Sequence, residues 1–145
     1  MKKKKQIAAL TYQIHDEGNV RVLLVTTRGT GRWIIPKGWP MKSRKPHRAA
    51  AIEAFEEAGA VGKTDKQSIG IYEYEKRLED GSKVPCNVTV FPLPVKRLHD
   101  EWPEAGHRVR QWFEPEEAAA LVKEPDLAQI LRSWNSRCRR RVTTQ

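Results

Sequence analysis

The segment Ala49-Ala50-Ala51-Ile52-Glu53-Ala54-Phe55-Glu56-Glu57-Ala58-Gly59 is rich in helix-forming residues and ends on a glycine, so it predicts a helix that stops at that glycine. In a helix, Glu53, Glu56 and Glu57 stand three and four positions apart and share one face. Like charges at this spacing repel one another, and a divalent cation among their oxygens relieves the repulsion. The pattern indicates magnesium chemistry on phosphates. The alternative is a solvated acidic surface, which is the commoner role of Glu-rich helix faces.

The residues before this segment frame it. Trp33-Ile34-Ile35-Pro36 predicts a short strand that the proline limits, and residues 37–45 predict an irregular loop that contains Gly38. Pro46 suits the first turn of a helix, which we predict over Pro46–Ala58. The unit is therefore a strand, a glycine loop, an acidic helix and a terminating glycine.

The rest of the chain predicts a mixed sheet with two later helices. One hairpin is predicted from residues 6–14 and 20–27 around the turn Asp16-Glu17-Gly18-Asn19, and a second from residues 68–77 and 84–95 around an Asp-Gly pair. Residues 107–113 predict another short strand, residues 114–122 a short helix and residues 125–137 a final helix.

The composition predicts one cytoplasmic domain over residues 1–145. The chain has 145 residues and a mass of 16.7 kDa, enough to bury a core, and it contains no apolar run of membrane-spanning length and no signal-peptide pattern. Its two cysteines, Cys86 and Cys138, lack the spacing of a zinc site or a disulfide framework, so we expect reduced structural thiols.

A formal net charge of +9 indicates an acidic partner. Part of the excess lies in basic tails, predicted at about residues 1–5 and 138–145, where charge is usually solvated. A second group of basic residues falls in the loops and helix start before the glutamates: Arg28, Arg32, Lys37, Lys42, Arg44, Lys45, His47 and Arg48. Cations beside an acidic metal site suit a multiply phosphorylated small molecule, and we expect no membrane partner.

The glycine and glutamate spacing resembles a known motif. The matching residues are Gly38, Glu53, Glu56, Glu57, Gly59 and Ala60, and the motif is the Nudix box, G-x5-E-x7-R-E-U-x-E-E-x-G-U with U aliphatic. Residues 23–28, 32–36, 69–73 and 110–113 look like corresponding stretches of diphosphoinositol polyphosphate phosphohydrolases. The resemblance implies an α/β fold of the Nudix type, an α/β/α sandwich with a mixed sheet, one catalytic helix and C-terminal helices. It also implies hydrolysis of a nucleoside diphosphate linked to another moiety, or of related phosphoanhydrides.

Two positions of the box differ from the family pattern. The first glutamate of the motif falls on Arg44, and its arginine falls on Ile52. An acid and a base are absent together, so neither leaves an unpaired partner at these positions. Arg44 does add positive charge near the expected cation site, which bears on metal affinity.

The resemblance implies a role for each acidic residue. Glu53 and Glu57 would ligate Mg²⁺, with Mn²⁺ as an alternative ion and with the Gly38 carbonyl assisting. Glu56 is the catalytic residue of this interpretation, acting as the base toward water or as a further ligand. The sequence leaves the choice between these two roles of Glu56 open.

The same resemblance assigns substrate phosphates to several basic or polar residues. These are Thr27, Arg28 and either Arg108 or Arg110, and Lys37, which flanks the glycine of the box, is a further candidate phosphate contact. Arginine suits this role because its planar fork binds two phosphate oxygens at once. The alternative is that the arginines cap strand ends and pair with Glu114 or Glu116.

The preferred function is a Mg²⁺-dependent pyrophosphohydrolase acting on a diphosphoinositol polyphosphate or a dinucleoside polyphosphate. Arg44, Ile52 and the positive charge motivate an alternative, an RNA- or nucleotide-binding module without turnover. A third candidate is a pyrophosphohydrolase of RNA 5′ ends. The sequence does not fix the oligomeric state.

Overall fold

A computed structural model describes residues 3–15 and 18–143, with side chains described through residue 138. Residues 16 and 17 of the predicted first turn lie outside the described residues. The elements in chain order are β1 (Lys4–His15), β2 (Asn19–Thr26), β3 (Trp33–Ile34), β4 (Lys37–Gly38), α1 (Pro46–Ala58), β5 (Ala60–Val61), β6 (Gly70–Arg77), β7 (Lys83–Pro94), β8 (Arg97–Leu98), β9 (Arg110–Phe113), α2 (Pro115–Leu121) and α3 (Pro125–Thr143).

The main sheet is mixed and has β1 near its centre. Its order is β3-β2-β1-β7-β6, with β4 attached to β1 and β9 attached to β2, and β5 and β8 form a separate two-stranded sheet. Both predicted hairpins are confirmed, because β1 pairs antiparallel with β2 and β6 pairs antiparallel with β7. The strand β1 also runs parallel to β7, with Lys4 opposite Cys86 and Tyr12 opposite Pro94.

Side chains of the central strands alternate between two cores. Ala8 and Leu10 of β1 belong to the core beneath α2 and α3, whereas Ile7 and Ala9 belong to the core beneath α1. Helices therefore cover both faces of the sheet, and the predicted α/β/α sandwich is confirmed.

The two helical layers pack with side chains of different size. The helix α1 buries four alanines completely, Ala49, Ala50, Ala54 and Ala58, so its backbone lies close to the sheet. On the opposite face, Leu127, Leu131 and Trp134 of α3 fill the core, and the Trp134 ring meets Tyr12 edge-on at a centroid distance of 5.1 Å. The close approach of α1 fixes where its glutamates stand.

Several boundaries differ from the predictions. The predicted loop over residues 37–45 contains β4, whose Gly38 pairs with Ile7 of β1. The final helix continues to Thr143, so most of the expected basic tail after residue 138 has a helical backbone, and Lys4 and Lys5 already belong to β1. The short sheet of β5 and β8 gave no sequence signal, because each strand has only two residues.

Cys86 and Cys138 are buried thiols, as expected. Over residues 3–15 and 18–143, no helix combines the length and the apolar character needed to cross a bilayer.

Candidate active site

The acidic helix begins and ends where the sequence predicts. Pro46 occupies its first turn after Lys45, and Gly59 ends it in the left-handed conformation, with φ of 66°. The Gly59 N–H donates to the Phe55 carbonyl at 2.9 Å. A Cβ at Gly59 would lie 2.8 Å from Arg110 Nη1 and 3.0 Å from the Trp102 ring, so both the backbone angle and the space require glycine.

Gly38 forms a close contact with Glu53. The pairing of β4 with β1 holds Gly38 against the middle of α1. A Cβ at Gly38 would lie 2.5 Å from Glu53 Oε1 and 2.7 Å from Oε2, so any larger residue would push the carboxylate out of its present place. In the described part of the chain, the Glu53 carboxylate has no hydrogen-bond or ion-pair partner.

Glu57 is buried, and both of its carboxylate oxygens have partners. Oε1 accepts from the backbone N–H of Lys37 at 3.2 Å, and Oε2 accepts from Arg108 Nη2 at 3.3 Å. Its backbone carbonyl accepts from the Trp102 indole at 3.0 Å. Glu57 therefore joins α1 to β4 and to the loop before β9.

The electrostatic environment disfavours the ionised form of both glutamates. Burial, followed by the charges of Glu57 and Glu56, raises the pKa of Glu53 to about 7. Burial also raises the pKa of Glu57 to about 7, although Arg108 and Lys37 oppose this shift. Near neutral pH each of these two carboxyl groups is therefore only partly ionised, and added positive charge would favour the ionised form.

A fourth carboxylate stands in this cluster, and the sequence analysis missed it. Glu104 lies in the loop before β9, and its backbone N–H donates to the Glu56 carbonyl at 3.0 Å. Its charge contributes to the raised pKa of Glu53 and of Glu57. No motif spacing signals Glu104, because the loop brings it to the helix from nearly fifty residues along the chain.

Arg108 was predicted to bind substrate, and its guanidinium donates three hydrogen bonds to protein acceptors. Its Nε donates to Glu104 Oε1 at 2.8 Å, its Nη1 to the Thr26 carbonyl at 2.9 Å and its Nη2 to Glu57. The side chain is only 10% exposed. The structure therefore places Arg108 between two carboxylates of the cluster, rather than at an open surface.

The other predicted phosphate contacts are scattered. Arg110 donates to the Ala58 carbonyl at 2.8 Å and stacks on Trp102, and neither Glu114 nor Glu116 is its partner. Thr27 Oγ1 accepts from the Arg32 N–H at 3.0 Å within its own loop. Arg28 is exposed in that loop.

Lys37 and Glu56 complete the set of predicted residues. The Lys37 ammonium lies 4.6 Å from the centre of the Tyr74 ring. Burial lowers the pKa of Lys37, and the nearby Glu57 opposes this shift. Glu56 is half-buried on α1 and raises the pKa of Glu53. The structure thus brings Glu53, Glu56, Glu57, Lys37 and Arg108 together, whereas no described contact joins Arg28 to them.

The donor chemistry of the cluster fits a hard divalent cation. Carboxylate oxygens are the ligands that Mg²⁺ prefers, and the Glu53 carboxylate lies in a space that a Cβ at Gly38 would fill. Among the described side chains, however, no three His, Cys, Asp or Glu groups are gathered closely enough to form a complete ligand set. Of the two departures in the box, Arg44 is exposed and Ile52 is half-buried beside Phe55.

Comparisons with known proteins show which family this chain resembles. The model of the NUDIX domain matches residues 4–134. "Nudix hydrolase 21, chloroplastic" of Arabidopsis thaliana is 29% identical over 133 residues, 88% of this chain and 63% of that protein. "Diphosphoinositol polyphosphate phosphohydrolase 2" of Rattus norvegicus is 30% identical over 122 residues, 83% of this chain and 63% of that protein. The chain thus spans less than two thirds of the length of either relative.

A solved structure shows the same fold. A NUDIX hydrolase from Nitrosomonas europaea superposes with a TM-score of 0.70 at 22% identity, covering 93% of this chain and 90% of that chain. The family match includes the acidic helix, the glycine that receives Glu53 and the strands that position both. The chain belongs to the NUDIX domain family.

Proposed function

We propose that this domain is a hydrolase that cleaves a phosphoanhydride bond in a highly phosphorylated small molecule and uses Mg²⁺, or alternatively Mn²⁺, to do so. Diphosphoinositol polyphosphates and dinucleoside polyphosphates are the two candidate substrate classes. We further propose that it works in the cytoplasm, where its two buried thiols would stay reduced.

One observation carries the proposal: four glutamates share one small region of the fold. Glu53, Glu56 and Glu57 come from α1, and Glu104 joins them from the loop before β9. Carboxylates crowded and partly buried in this way cost stability unless a cation compensates them. A site in which four carboxylates outnumber the two nearby cations, Arg108 and Lys37, suits the joint arrival of a divalent cation and a phosphate chain.

Each glutamate of the cluster has a separate role in this proposal. Glu53 and Glu57, with the Gly38 carbonyl, would hold a divalent cation, which would neutralise charge on the phosphate oxygens. Glu56 would accept the proton of the attacking water, since its carboxylate stands on the same helical face and has no hydrogen-bond or ion-pair partner among the described residues. Burial of Glu57 keeps bulk water from one side of the site.

Arg108 and Glu104 act as positioning residues in this proposal. The guanidinium of Arg108 joins Glu57, Glu104 and the Thr26 carbonyl, so it ties the catalytic helix to the end of β2. The box position usually held by arginine is Ile52 here. A cation from outside the helix thus orients a helix carboxylate.

The substrate classes follow from charge and from the relatives. The net charge of +9 favours polyanions, and exposed cations in the loop before α1 include Lys42, Arg44 and Lys45. One relative is named as a diphosphoinositol polyphosphate phosphohydrolase. Arg28, exposed in the loop after β2, is the residue that we propose meets additional phosphates.

The test is a turnover panel with purified protein, with and without Mg²⁺. The panel contains diphosphoinositols, dinucleoside polyphosphates, ADP-ribose and capped RNA, and released phosphate or nucleotide is measured by malachite green or chromatography. We expect metal-dependent cleavage that Glu56→Gln lowers at least about a hundredfold, as loss of a general base does. Glu116→Gln, at an exposed carboxylate that pairs with Arg132, serves as the matched control.

Two outcomes would contradict the proposal. The first is cleavage that Glu56→Gln leaves intact. The second is no cleavage of any panel member together with RNA binding that weakens steeply with salt, which would identify a binding module.

A further inference from the structure

The end of α1 that carries Glu56 and Glu57 is capped by another part of the chain. The last carbonyls of a helix have no N–H partner within the helix, and free helix ends fray. Here four consecutive carbonyls accept hydrogen bonds from residues 99–110, which lie between β8 and the start of β9. The pairs are Glu56 with the Glu104 N–H at 3.0 Å, Glu57 with the Trp102 indole at 3.0 Å, Ala58 with Arg110 Nη1 at 2.8 Å and Gly59 with the His99 N–H at 2.9 Å.

Trp102 contributes one of the two side-chain donors of this cap, and Arg110 contributes the other. The Trp102 side chain is half-buried, and the guanidinium carbon of Arg110 lies 3.9 Å from the centre of its ring. The helix has no basic residue in its own last turn, so Arg110 also supplies the positive charge that the negative end of a helix attracts. The indole is thus fixed between this cation and the end of the helix.

The indole bond reaches Glu57, the glutamate whose carboxylate also has two protein partners. The Lys37 N–H and Arg108 bind the carboxylate of Glu57, whereas Trp102 binds its backbone carbonyl. Glu57 is the second-last residue of α1, so without outside donors it would lie in the turn that frays most readily. A displacement of the backbone there would move the carboxylates of both Glu56 and Glu57, because both residues lie in that turn.

Packing alone does not explain an indole at this position. The edge-on contact of Phe55 with His99, at a centroid distance of 5.4 Å, already packs the loop against the helix. Trp102→Phe would keep an aromatic ring beside Arg110 but would remove the N–H that donates to Glu57. The N–H is therefore the group that distinguishes a positioning role of Trp102 from a packing role.

We infer that Trp102 is a positioning residue: its indole holds the last turn of α1 so that Glu56 and Glu57 keep the places that metal binding and proton transfer require. The inference rests on the proposed function, in which Glu57 would be a metal ligand and Glu56 the base. Trp102 acts through the helix and not on the substrate. Small displacements of reacting groups lower rates strongly, and about 1 Å is enough for a hundredfold loss.

The first test uses the metal-free protein and needs no turnover. Amide hydrogen exchange along α1 is compared in the wild-type protein and in Trp102→Phe, at a temperature well below unfolding. In the variant, exchange should be about fivefold faster in the last turn, as expected for loss of one neutral hydrogen bond. Exchange in the first turn of α1 should not change.

Trp112→Phe is the matched control. Trp112 is also half-buried and has an arginine over its ring, with Arg21 at 4.5 Å. In the part of the chain that the structure describes, its indole donates to no carbonyl of α1. Trp112→Phe should therefore leave exchange in the last turn of α1 unchanged. Thermal unfolding of both variants measures their global stability separately.

The second test connects the position of the helix end to the reaction. Binding of Mn²⁺ alone, measured by calorimetry without substrate, should be about tenfold weaker in Trp102→Phe, as expected when a group that orients a metal ligand is removed. The maximal rate should fall about tenfold while the Michaelis constant stays within about twofold. Trp112→Phe should match the wild-type protein in both measurements. A role in packing alone would lower the unfolding midpoint of Trp102→Phe and leave these values unchanged.

Two results would overturn the inference. One is unchanged exchange in the last turn of Trp102→Phe, and the other is faster exchange with unchanged Mn²⁺ affinity and maximal rate. A wild-type protein that neither binds Mn²⁺ nor turns over substrate would refute the proposed function instead, and faster exchange in the variant would still support the hold of the indole on the helix. If Trp102→Phe did not fold, the wild-type protein would decide: the Trp102 indole N–H should exchange more slowly than that of the exposed Trp39, and equal rates would overturn the inference.

Discussion

Glu57 and Glu124 are both buried glutamates with an arginine partner, yet their surroundings differ. Glu57 lies among three other carboxylates, and both of its oxygens are bound, by Arg108 and by the Lys37 N–H. Glu124 lies in the wall of a cavity beside the start of α3; this wall also carries four cations, and one oxygen of the Glu124 carboxylate is unpaired among the described residues. The carboxylate of Glu57 adds to a surplus of negative charge, whereas that of Glu124 is locally compensated.

The contrast shows how one residue type can serve two purposes in a small domain. A surplus of negative charge attracts a cation, whereas a carboxylate paired with an arginine is compensated within the protein. Burial alone does not distinguish the two glutamates, because Glu57 is 6% and Glu124 is 7% exposed. The two glutamates differ in the charges and hydrogen-bond donors that surround their carboxylates.

The largest expected effect is on the rate of turnover, and it should differ between variants of Glu57 and of Glu124. Glu57→Gln should lower turnover of every substrate at least about a thousandfold, because metal-assisted charge stabilisation is worth several kcal/mol. Glu124→Gln should keep most of the maximal rate, because Glu124 lies outside the acidic cluster and pairs with Arg32. Steady-state kinetics on the same nucleotide measures both. Similar losses of maximal rate in the two variants would refute the proposed division.

The next largest effect concerns the space beside Glu53. Gly38→Ala should reduce turnover about a hundredfold, because the added Cβ would lie within 2.5 Å of Glu53 Oε1 and displace the carboxylate. Gly81→Ala is a control for glycine replacement, since a Cβ there meets nothing within 4 Å, although its φ of 88° carries some backbone strain. Turnover and thermal unfolding should be measured together. A normal rate in Gly38→Ala would show that Glu53 needs no fixed position.

A smaller effect tests the positioning role of Arg108. Arg108 lowers the pKa of Glu57 against the effect of burial, so Arg108→Gln should raise that pKa above about 7. The acidic limb of the rate–pH profile should then move to higher pH, with a loss of about tenfold in rate at neutral pH. Arg110→Gln should leave the limb in place, because Arg110 binds a backbone carbonyl. If both variants moved the acidic limb of the rate–pH profile equally, the proposed effect of Arg108 on the pKa of Glu57 would be contradicted.

The smallest effect is on stability. A carboxyl group whose pKa is about 4.5 in the unfolded chain and about 7 in the folded protein binds more protons when folded between these values. The metal-free protein should therefore lose stability as the pH rises from about 5 to 7, and the double variant Glu53→Gln, Glu57→Gln should lose less.

Thermal unfolding midpoints of the wild-type protein and the double variant across this range measure the difference, which we expect to be a few degrees. Magnesium should stabilise the wild-type protein more at pH 7 than at pH 5. Parallel pH curves for the two proteins would show that these glutamates do not titrate as described.

The sequence predicted the features that depend on neighbouring residues. The limits of α1, set by Pro46 and Gly59, and both hairpins follow from local turn and helix chemistry. The family motif also identified Glu53, Glu56 and Glu57. Three features could not be predicted, because loops distant in sequence bring their groups together. They are the presence of Glu104 in the cluster, the hydrogen bonds of Arg108 to protein acceptors and the cavity beside Glu124.

The parallel pairing of β1 with β7 has a consequence for how the chain folds. Residues that meet in this pairing, such as Ala8 and Val90, are separated by about eighty positions, so the centre of the sheet closes only after a long loop has been ordered. During synthesis on the ribosome, β1 and β2 emerge well before β7 and expose an unpaired edge in the meantime. We expect folding on the slow side for a domain of this size, and sensitivity of the nascent chain to aggregation.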